Sequence, residues 1–170
     1  MKKILINILF LFILSISSTT FAFPNEPNRF RDFYWGESLQ EVKNSCSDIT
    51  YVSYNSQNNS VKYVAHLNNP YISGHKFDLV GLDFWNNQLI CISIYFNVVN
   101  HQEVSYTDLI SSLETRFGKS FYVSNGTTMW IGDIGSIGVN RDLKSNMITL
   151  LIANLDLMYK AEQDAASKGW

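Results

Sequence analysis

The sequence is poor in the residues from which enzymes assemble metal sites and nucleophiles. It contains three histidines and two cysteines among 170 residues. His66, His75 and His101 stand far apart, and none has a second histidine or a carboxylate at the spacing of a helical metal pair. The G-x-S-x-G elbow of serine hydrolases is also absent. We therefore predict a protein that is not an enzyme and that has no metal or cofactor site.

Glycine recurs at every third position in the stretch IGDIGSIGVN, as Gly132, Gly135 and Gly138. A dinucleotide-binding loop needs a strand before its glycines and a helix after them, so that the helix N-terminus faces the pyrophosphate. Here the pattern indicates strands on both sides. We therefore interpret Gly132 to Gly135 as a hairpin turn.

Long apolar runs are confined to the N-terminus. Residues 1–22 begin with two lysines, continue with an apolar run from Ile4 to Leu14, and end in small residues before a cut after Ala22. This is the pattern of a secretory signal peptide. An uncleaved membrane anchor is the alternative, but the run is shorter than the ~20 residues that span a bilayer. Ala22 is not followed by a cysteine that could carry a lipid. We expect a periplasmic or secreted protein with no membrane span after cleavage.

Clusters of positive charge are missing as well. The chain has 13 basic and 15 acidic residues, and residues 1–22 contain two of the lysines and no acid, which leaves 11 basic and 15 acidic residues and a net charge of −4. Binding to phosphate backbones needs clustered lysine and arginine, and here they are scattered almost singly. We therefore expect no nucleic-acid partner.

The exported part divides into a short lead-in and one domain. Two prolines near its start predict a flexible lead-in over residues 23–29. Residues 30–170 have the length of a single domain with a sizeable core, and the aromatic residues supply large buried areas.

The most regular pattern lies between Lys76 and Asn97 and predicts a β-hairpin. A turn of three residues, Asn86 to Gln88, gathers the alternating apolar side chains on one face, whereas a tighter Asn-Asn turn would flip one strand relative to the other. The predicted apolar face consists of Val80, Leu82, Phe84, Ile90, Ile92, Ile94 and Phe96.

Capping signals predict two helices. Ser38 is followed three residues later by Glu41, which is a capping box, and a short helix should start there and end before Ser47. Ser105 and Asp108 give a second start signal, and Gly118 a stop signal. The composition after Leu155 indicates a loosely docked C-terminal helix.

Alternating patterns predict six further strands, namely Ile49–Asn55, Ser60–Leu67, Phe121–Ser124, Thr127–Ile131, Ser136–Asn140 and Met147–Ala153. Each half of the chain thus has a capped helix followed by several strands. We predict an α+β fold in which the two capped helices pack on one face of a curved antiparallel sheet, with a structural duplication and an added C-terminal helix.

The two cysteines, Cys46 and Cys91, allow two interpretations. The exported compartment would let them form a disulfide. However, Cys91 falls on the strand face opposite Ile90 and Ile92, whereas Cys46 ends a helix that should cover that isoleucine face. The alternative is therefore two small buried hydrophobic residues.

The second face of the hairpin carries aromatic side chains beside a few polar groups, as protein-binding surfaces do. Phe77 and Leu79 alternate onto it, and we expect a tryptophan from the second half of the chain to join it. The alternative is that the C-terminal helix or a loop covers this face. The candidate partner-binding residues are Asp83, Trp85, Tyr95 and Trp130.

Several short motifs resemble those of small exported bacterial proteins. An aromatic residue before Trp35-Gly36, a capped helix with Ser38 and Glu41-Val42, a helix that ends in Phe117-Gly118, and a strand with Trp130 are similar to the outer-membrane assembly lipoprotein family (SmpA/OmlA type) and to the β-lactamase-inhibitor-protein fold. Both share a helix-then-sheet module. The resemblance implies a binding or scaffolding module and no catalytic residue.

These observations together predict an exported, non-catalytic binding or scaffolding protein whose partner is another envelope protein. The alternative is an inhibitor or immunity protein that blocks an enzyme of the same compartment.

Overall fold

The computed structural model describes residues 22–97, 104–124 and 126–168. These residues form a large antiparallel sheet with three α-helices, which confirms the predicted α+β class. None of the helices in these ranges is long and apolar enough to span a membrane. The helices are α1 (Leu39–Lys43), α2 (Tyr106–Phe117) and α3 (Leu155–Ser167).

Within the described residues, eight strands form the main sheet, and four short strands form two separate two-stranded ribbons. The ribbon strands are β1 (Arg29–Phe30) with β2 (Phe33–Tyr34), and β5 (Tyr71–Ile72) with β6 (His75–Lys76). The main-sheet strands are β3 (Ser47–Asn55), β4 (Ser60–His66), β7 (Leu79–Trp85), β8 (Gln88–Phe96), β9 (Tyr122–Ser124), β10 (Thr127–Ile131), β11 (Gly135–Arg141) and β12 (Ile148–Asn154).

The order of the main sheet is β3-β4-β7-β8-β12-β11-β10-β9, with antiparallel pairing throughout. Each half of the chain contributes four neighbouring strands. The last strand of each half lies at the centre, where β8 pairs with β12. The two outer edges are β3 and β9, the first main-sheet strand of each half.

The turn of the central hairpin is tighter than predicted. Asn86 and Asn87 have φ angles of 48° and 60°, and Trp85 pairs directly with Gln88. The predicted three-residue turn is therefore wrong. Two asparagines suit this turn because they adopt positive φ at a lower cost than most residues do.

A β-bulge after the turn restores the predicted register. Phe84 pairs with Leu89, whereas the next pair is Asp83 with Cys91, so Ile90 is the extra residue and lies on the opposite face. Beyond the bulge, Ile92 and Ile94 lie opposite Leu82 and Val80, as predicted.

One sheet face carries the main core. Leu109 and Phe117 of α2 and Val42 of α1 belong to the same buried cluster as the apolar residues of β7 and β8. The sheet residues of this cluster include Val80, Leu82, Phe84, Leu89, Ile92, Ile94, Phe96, Ile137, Val139, Ile148, Leu150 and Ile152.

The caps predicted for α1 and α2 are confirmed. The Ser38 side chain accepts from the Glu41 N–H while the Glu41 carboxylate accepts from the Ser38 N–H, which is a reciprocal capping box. Ser105 caps α2, and Gly118, with φ of 78°, follows its last residue. Helix α1 ends at Lys43, earlier than predicted, because the chain must reach β3, where Ser47 already pairs with His66.

The segment of residues 23–28, called the strap below, makes specific contacts. The Phe23 ring packs edge-on against Phe117, with the ring centroids 5.9 Å apart. The Glu26 carboxylate accepts hydrogen bonds from the backbone N–H groups of residues 133–135 in the β10–β11 turn. The prediction of a flexible lead-in over residues 23–29 does not anticipate these contacts. The turn itself closes with a bond from the Gly132 N–H to the Gly135 carbonyl, 2.9 Å long, which confirms the hairpin interpretation of the glycine stretch.

Candidate interaction surface

The sheet face opposite the main core, called the outer face below, is partly covered by α3. Ala161 of this helix is buried against Ile90, Cys91 and Ala153, and Trp85 packs against the same cluster. Asn154 caps the helix, since its side chain accepts from the N–H of residue 157. The C-terminal helix therefore covers one end of the outer face.

Trp85 is hydrogen-bonded to α3 and is not a free surface side chain. Its indole Nε1–H donates to the Asp164 carboxylate across 3.0 Å, and that carboxylate also accepts from Lys168 at 2.8 Å and from the Asn59 amide. The bonds from Lys168, Trp85 and Asn59 lower the pKa of Asp164 to about 2. Trp85 thus links β7 to the last turns of α3.

Asp83 forms a partly buried ion pair on the outer face. Its carboxylate lies 3.3 Å from the Lys62 ammonium of β4, and the residue is 8% exposed. Burial raises the pKa of Asp83 above its ordinary value, against the opposing effect of Lys62. Burial lowers the pKa of Lys62, but the attraction of Asp83 and of neighbouring groups outweighs it, so the net direction is upward. The pair is a fixed polar feature beside the apolar part of this face.

Tyr95 lies on the outer face near the end of the central strand β8 and is half-buried. Its ring passes over Gly81 on the neighbouring strand, where an added Cβ would lie 3.2 Å from the ring and from the hydroxyl oxygen. A side chain at position 81 would therefore crowd the Tyr95 ring and require it to shift. The structure therefore brings Tyr95 and Asp83 onto the outer face, as predicted.

Beyond α3, a largely apolar row of residues crosses the outer face. The pairing registers align Val64, Gly81, Ser93, Leu151, Gly138, Met129 and Tyr122, one residue from each of seven strands. Leu151 is 37% exposed, Tyr122 is 50% exposed, and Ile131 beside the row is 37% exposed. The seven aligned residues, together with Ile131 and Tyr95, are called the outer row below. Sequence reasoning missed Leu151, Ile131 and Tyr122. For Leu151 in β12 and Ile131 in β10 the alternation with buried neighbours indicates this face, whereas the short strand β9 offers no such pattern for Tyr122.

The prediction that Trp130 joins this face is wrong. Trp130 lies opposite Ile137 in the register, belongs to the main core and is 1% exposed. Its Nε1–H donates to the Gly118 carbonyl across 2.8 Å. The outer-face positions of β10 are its neighbours Met129 and Ile131, because side chains alternate along a strand. Phe77, also predicted for the outer face, is buried in the main core against Phe96.

The structure does not bring the two cysteines together. Both thiols are free. Cys46 packs against the main core, whereas Cys91 belongs to the cluster under α3 on the other side of the sheet. Burial raises the pKa of Cys46 to about 11, and it also raises the pKa of Cys91. Neither cysteine is therefore a thiolate nucleophile at neutral pH.

Within the ranges that the structure describes, no group of three or more His, Cys, Asp or Glu side chains is placed to hold a metal ion. The Nε2 atom of His75 lies 3.3 Å from the Ser112 hydroxyl oxygen, and His66 is exposed. His101 lies outside the described residues.

Comparison of the chain with protein-family models, with curated proteins and with solved structures finds no match.

Proposed function

We propose that this is an exported, non-catalytic binding or scaffolding protein that contacts another protein of the cell envelope through its outer row. The observation that supports this best is the incomplete cover of the outer face: α3 buries one end, whereas Leu151, Ile131 and Tyr122 stay open to solvent. Interface cores are rich in aromatic and aliphatic side chains and poor in charge. The outer row has that composition.

The arrangement also suits recognition of a specific partner. Tyr95 is held over Gly81, so it loses little conformational freedom when a partner packs on it. The Lys62–Asp83 pair lies on the same face and supplies a polar group of fixed position, which favours one orientation of the partner. Rigid strands position these side chains better than loops would.

We further propose that the fold arose by structural duplication, with the two capped helices on the same face. The order of the main sheet supports this, because four strands of the first half and four of the second half run from edge to centre in the same sequence. The resemblance to the assembly-lipoprotein and inhibitor-protein folds also implies a binding module. The N-terminal pattern supports export with cleavage near Ala22.

The test is affinity capture from the envelope extract of the source organism, with the mature protein as bait. Replacement of both Leu151 and Ile131 by serine should abolish capture and lower the thermal midpoint by less than about 10 °C, because partly exposed side chains contribute more to binding than to folding. Leu143→Ser is the matched control, since Leu143 is 75% exposed in the β11–β12 turn. Capture by the double variant equal to that by the parent would contradict the proposal.

The identity of the captured protein separates the two candidate roles. A membrane-assembly protein would support scaffolding. An enzyme that loses activity when the parent protein is added, but not when the double variant is added, would establish the inhibitor or immunity role instead.

A further inference from the structure

A cavity of about 410 Å³ lies on the core side of the sheet, away from the outer row. It is bounded by the strap and β1, by the β5–β6 ribbon and by α2. Its volume falls within the range of about 300–1,000 Å³ that is usual for small-molecule sites. The cavity therefore has the size of a ligand site on an otherwise well-packed side of the molecule.

The floor of the cavity is apolar and continuous with the main core. The residues that form it come from α2, β11 and β12, and all are buried members of the main cluster. They are Leu113, Phe117, Ile137, Leu150 and Ile152. An apolar group in the cavity would contact these side chains at the inner end of the cavity.

The rim of the cavity is positively charged. Arg29, Arg31 and Arg116 line it, and none of the three takes part in a salt bridge within the described part of the chain. Arg31 is held in place, because its guanidinium donates to the carbonyls of Asn69 and Tyr71. Arg29 and Arg116 are exposed at the rim. The Arg29 guanidinium donates to the Tyr34 hydroxyl and lies 5.1 Å from the centroid of the Tyr34 ring.

The acidic side chain in the cavity lining is turned toward the β10–β11 turn. Glu26 is the only acidic residue among the described residues that line the cavity. Its two carboxylate oxygens already accept the backbone N–H groups of residues 133–135. Arg29 and Arg116 therefore have no acidic partner among the described residues of the lining, whereas Asp32 acts on Arg31: burial lowers the pKa of Arg31 and the charge of Asp32 opposes that effect.

We propose that this cavity binds a small amphiphilic anion, with its apolar body on the floor and its acidic head at the arginine rim. Arginine suits this task because its planar guanidinium pairs with carboxylate or phosphate oxygens in a defined geometry. The site is independent of the outer row, which lies on the other side of the sheet.

The experiment is isothermal titration of the mature protein with decanoate and, as a probe of the same chain length and opposite charge, with decyltrimethylammonium. Decanoate should bind at one saturable site, and the cation should not. Replacement of Arg29 and Arg116 together by glutamine should weaken decanoate binding at least about tenfold, because two charge-assisted contacts are lost. Lys43→Gln with Lys144→Gln is the matched control, since it removes the same charge from exposed sites away from the cavity and should leave binding unchanged.

Amide chemical shifts locate the site without any variant. Decanoate should shift the signals of Leu113, Phe117 and Ile137. No saturable binding, equal binding of both probes, or shifts confined to the outer row would overturn the proposal. Binding to phosphatidylglycerol vesicles without binding to free decanoate would also overturn it, because the arginine rim would then serve a membrane surface.

Discussion

The replacement Trp130→Ala should lower the free energy of unfolding by about 3–5 kcal/mol, the usual cost of deleting a core aromatic side chain. Trp130 is among the largest fully buried side chains, and its ring lies in the main core opposite Ile137. For a chain of this size each kcal/mol shifts the thermal midpoint by about 2–4 °C, so the expected decrease is about 6–20 °C.

The loss of unfolding free energy in Trp130→Ala has two parts, the lost apolar volume and the lost hydrogen bond. Trp130→Phe keeps most of the apolar volume but removes the Nε1–H that donates to the Gly118 carbonyl. Loss of a typical hydrogen bond costs about 0.5–1.5 kcal/mol, which is less than the cost of deleting the whole side chain, so phenylalanine should recover part of the stability that alanine loses. The order of stability should therefore be parent, then the phenylalanine variant, then the alanine variant.

Urea denaturation followed by circular dichroism measures these differences, and Ile131→Ala is the matched control. Ile131 is the next residue on the same strand and points to the outer face, so its replacement should cost about 1 kcal/mol or less. Equal losses for the Trp130 and Ile131 alanine variants would refute the assignment of faces. If the Trp130→Ala protein is as stable as the parent but fails to capture the partner, Trp130 belongs to the interaction surface and not to the core.

Three other features can be tested in the same way. The pKa of Asp164 is about 2 in the folded protein and about 3.9 when unfolded, so its stabilisation is complete above about pH 4 and is lost as the pH falls toward 2. Asp164→Asn should abolish this pH dependence of the urea midpoint. Ser38→Ala and Ser105→Ala should each cost about 1 kcal/mol through loss of a helix cap, and unchanged midpoints would mean that the caps contribute nothing. Thiol labelling in denaturant without reductant should modify both Cys46 and Cys91, and an unlabelled chain would show that they are paired.

The elements that could be predicted from the sequence are those whose signals are local. The start of α2 at Ser105, its end at Gly118 and the bounds of β10 follow from capping chemistry and from period-2 alternation among neighbouring residues. The apolar face of β7 and of most of β8 is readable for the same reason. These patterns involve residues within a few positions of one another, so they need no knowledge of the rest of the fold.

The sequence does not show which sheet face the alternate side chains of a strand occupy. Ile90 lies on the outer face because a bulge follows the two-residue turn. The alternation of apolar residues in β8 does not predict that bulge. Trp130 lies in the core because β10 pairs with β11 in the register that puts it opposite Ile137. A shift of the β10–β11 pairing register by one residue would have turned Trp130 to the outer face.

Amino-acid order alone determined the secondary-structure class, the helix caps and the alternation of apolar residues, because each depends on hydrogen bonds and side-chain directions within one segment. The tertiary structure decided which surfaces stay open. The outer row exists because α3 covers only the end of the face near Cys91, and the arginine-rimmed cavity exists because the strap docks on the β10–β11 turn through Glu26. Both depend on contacts between residues far apart in the chain, and such contacts form only when the whole core is assembled.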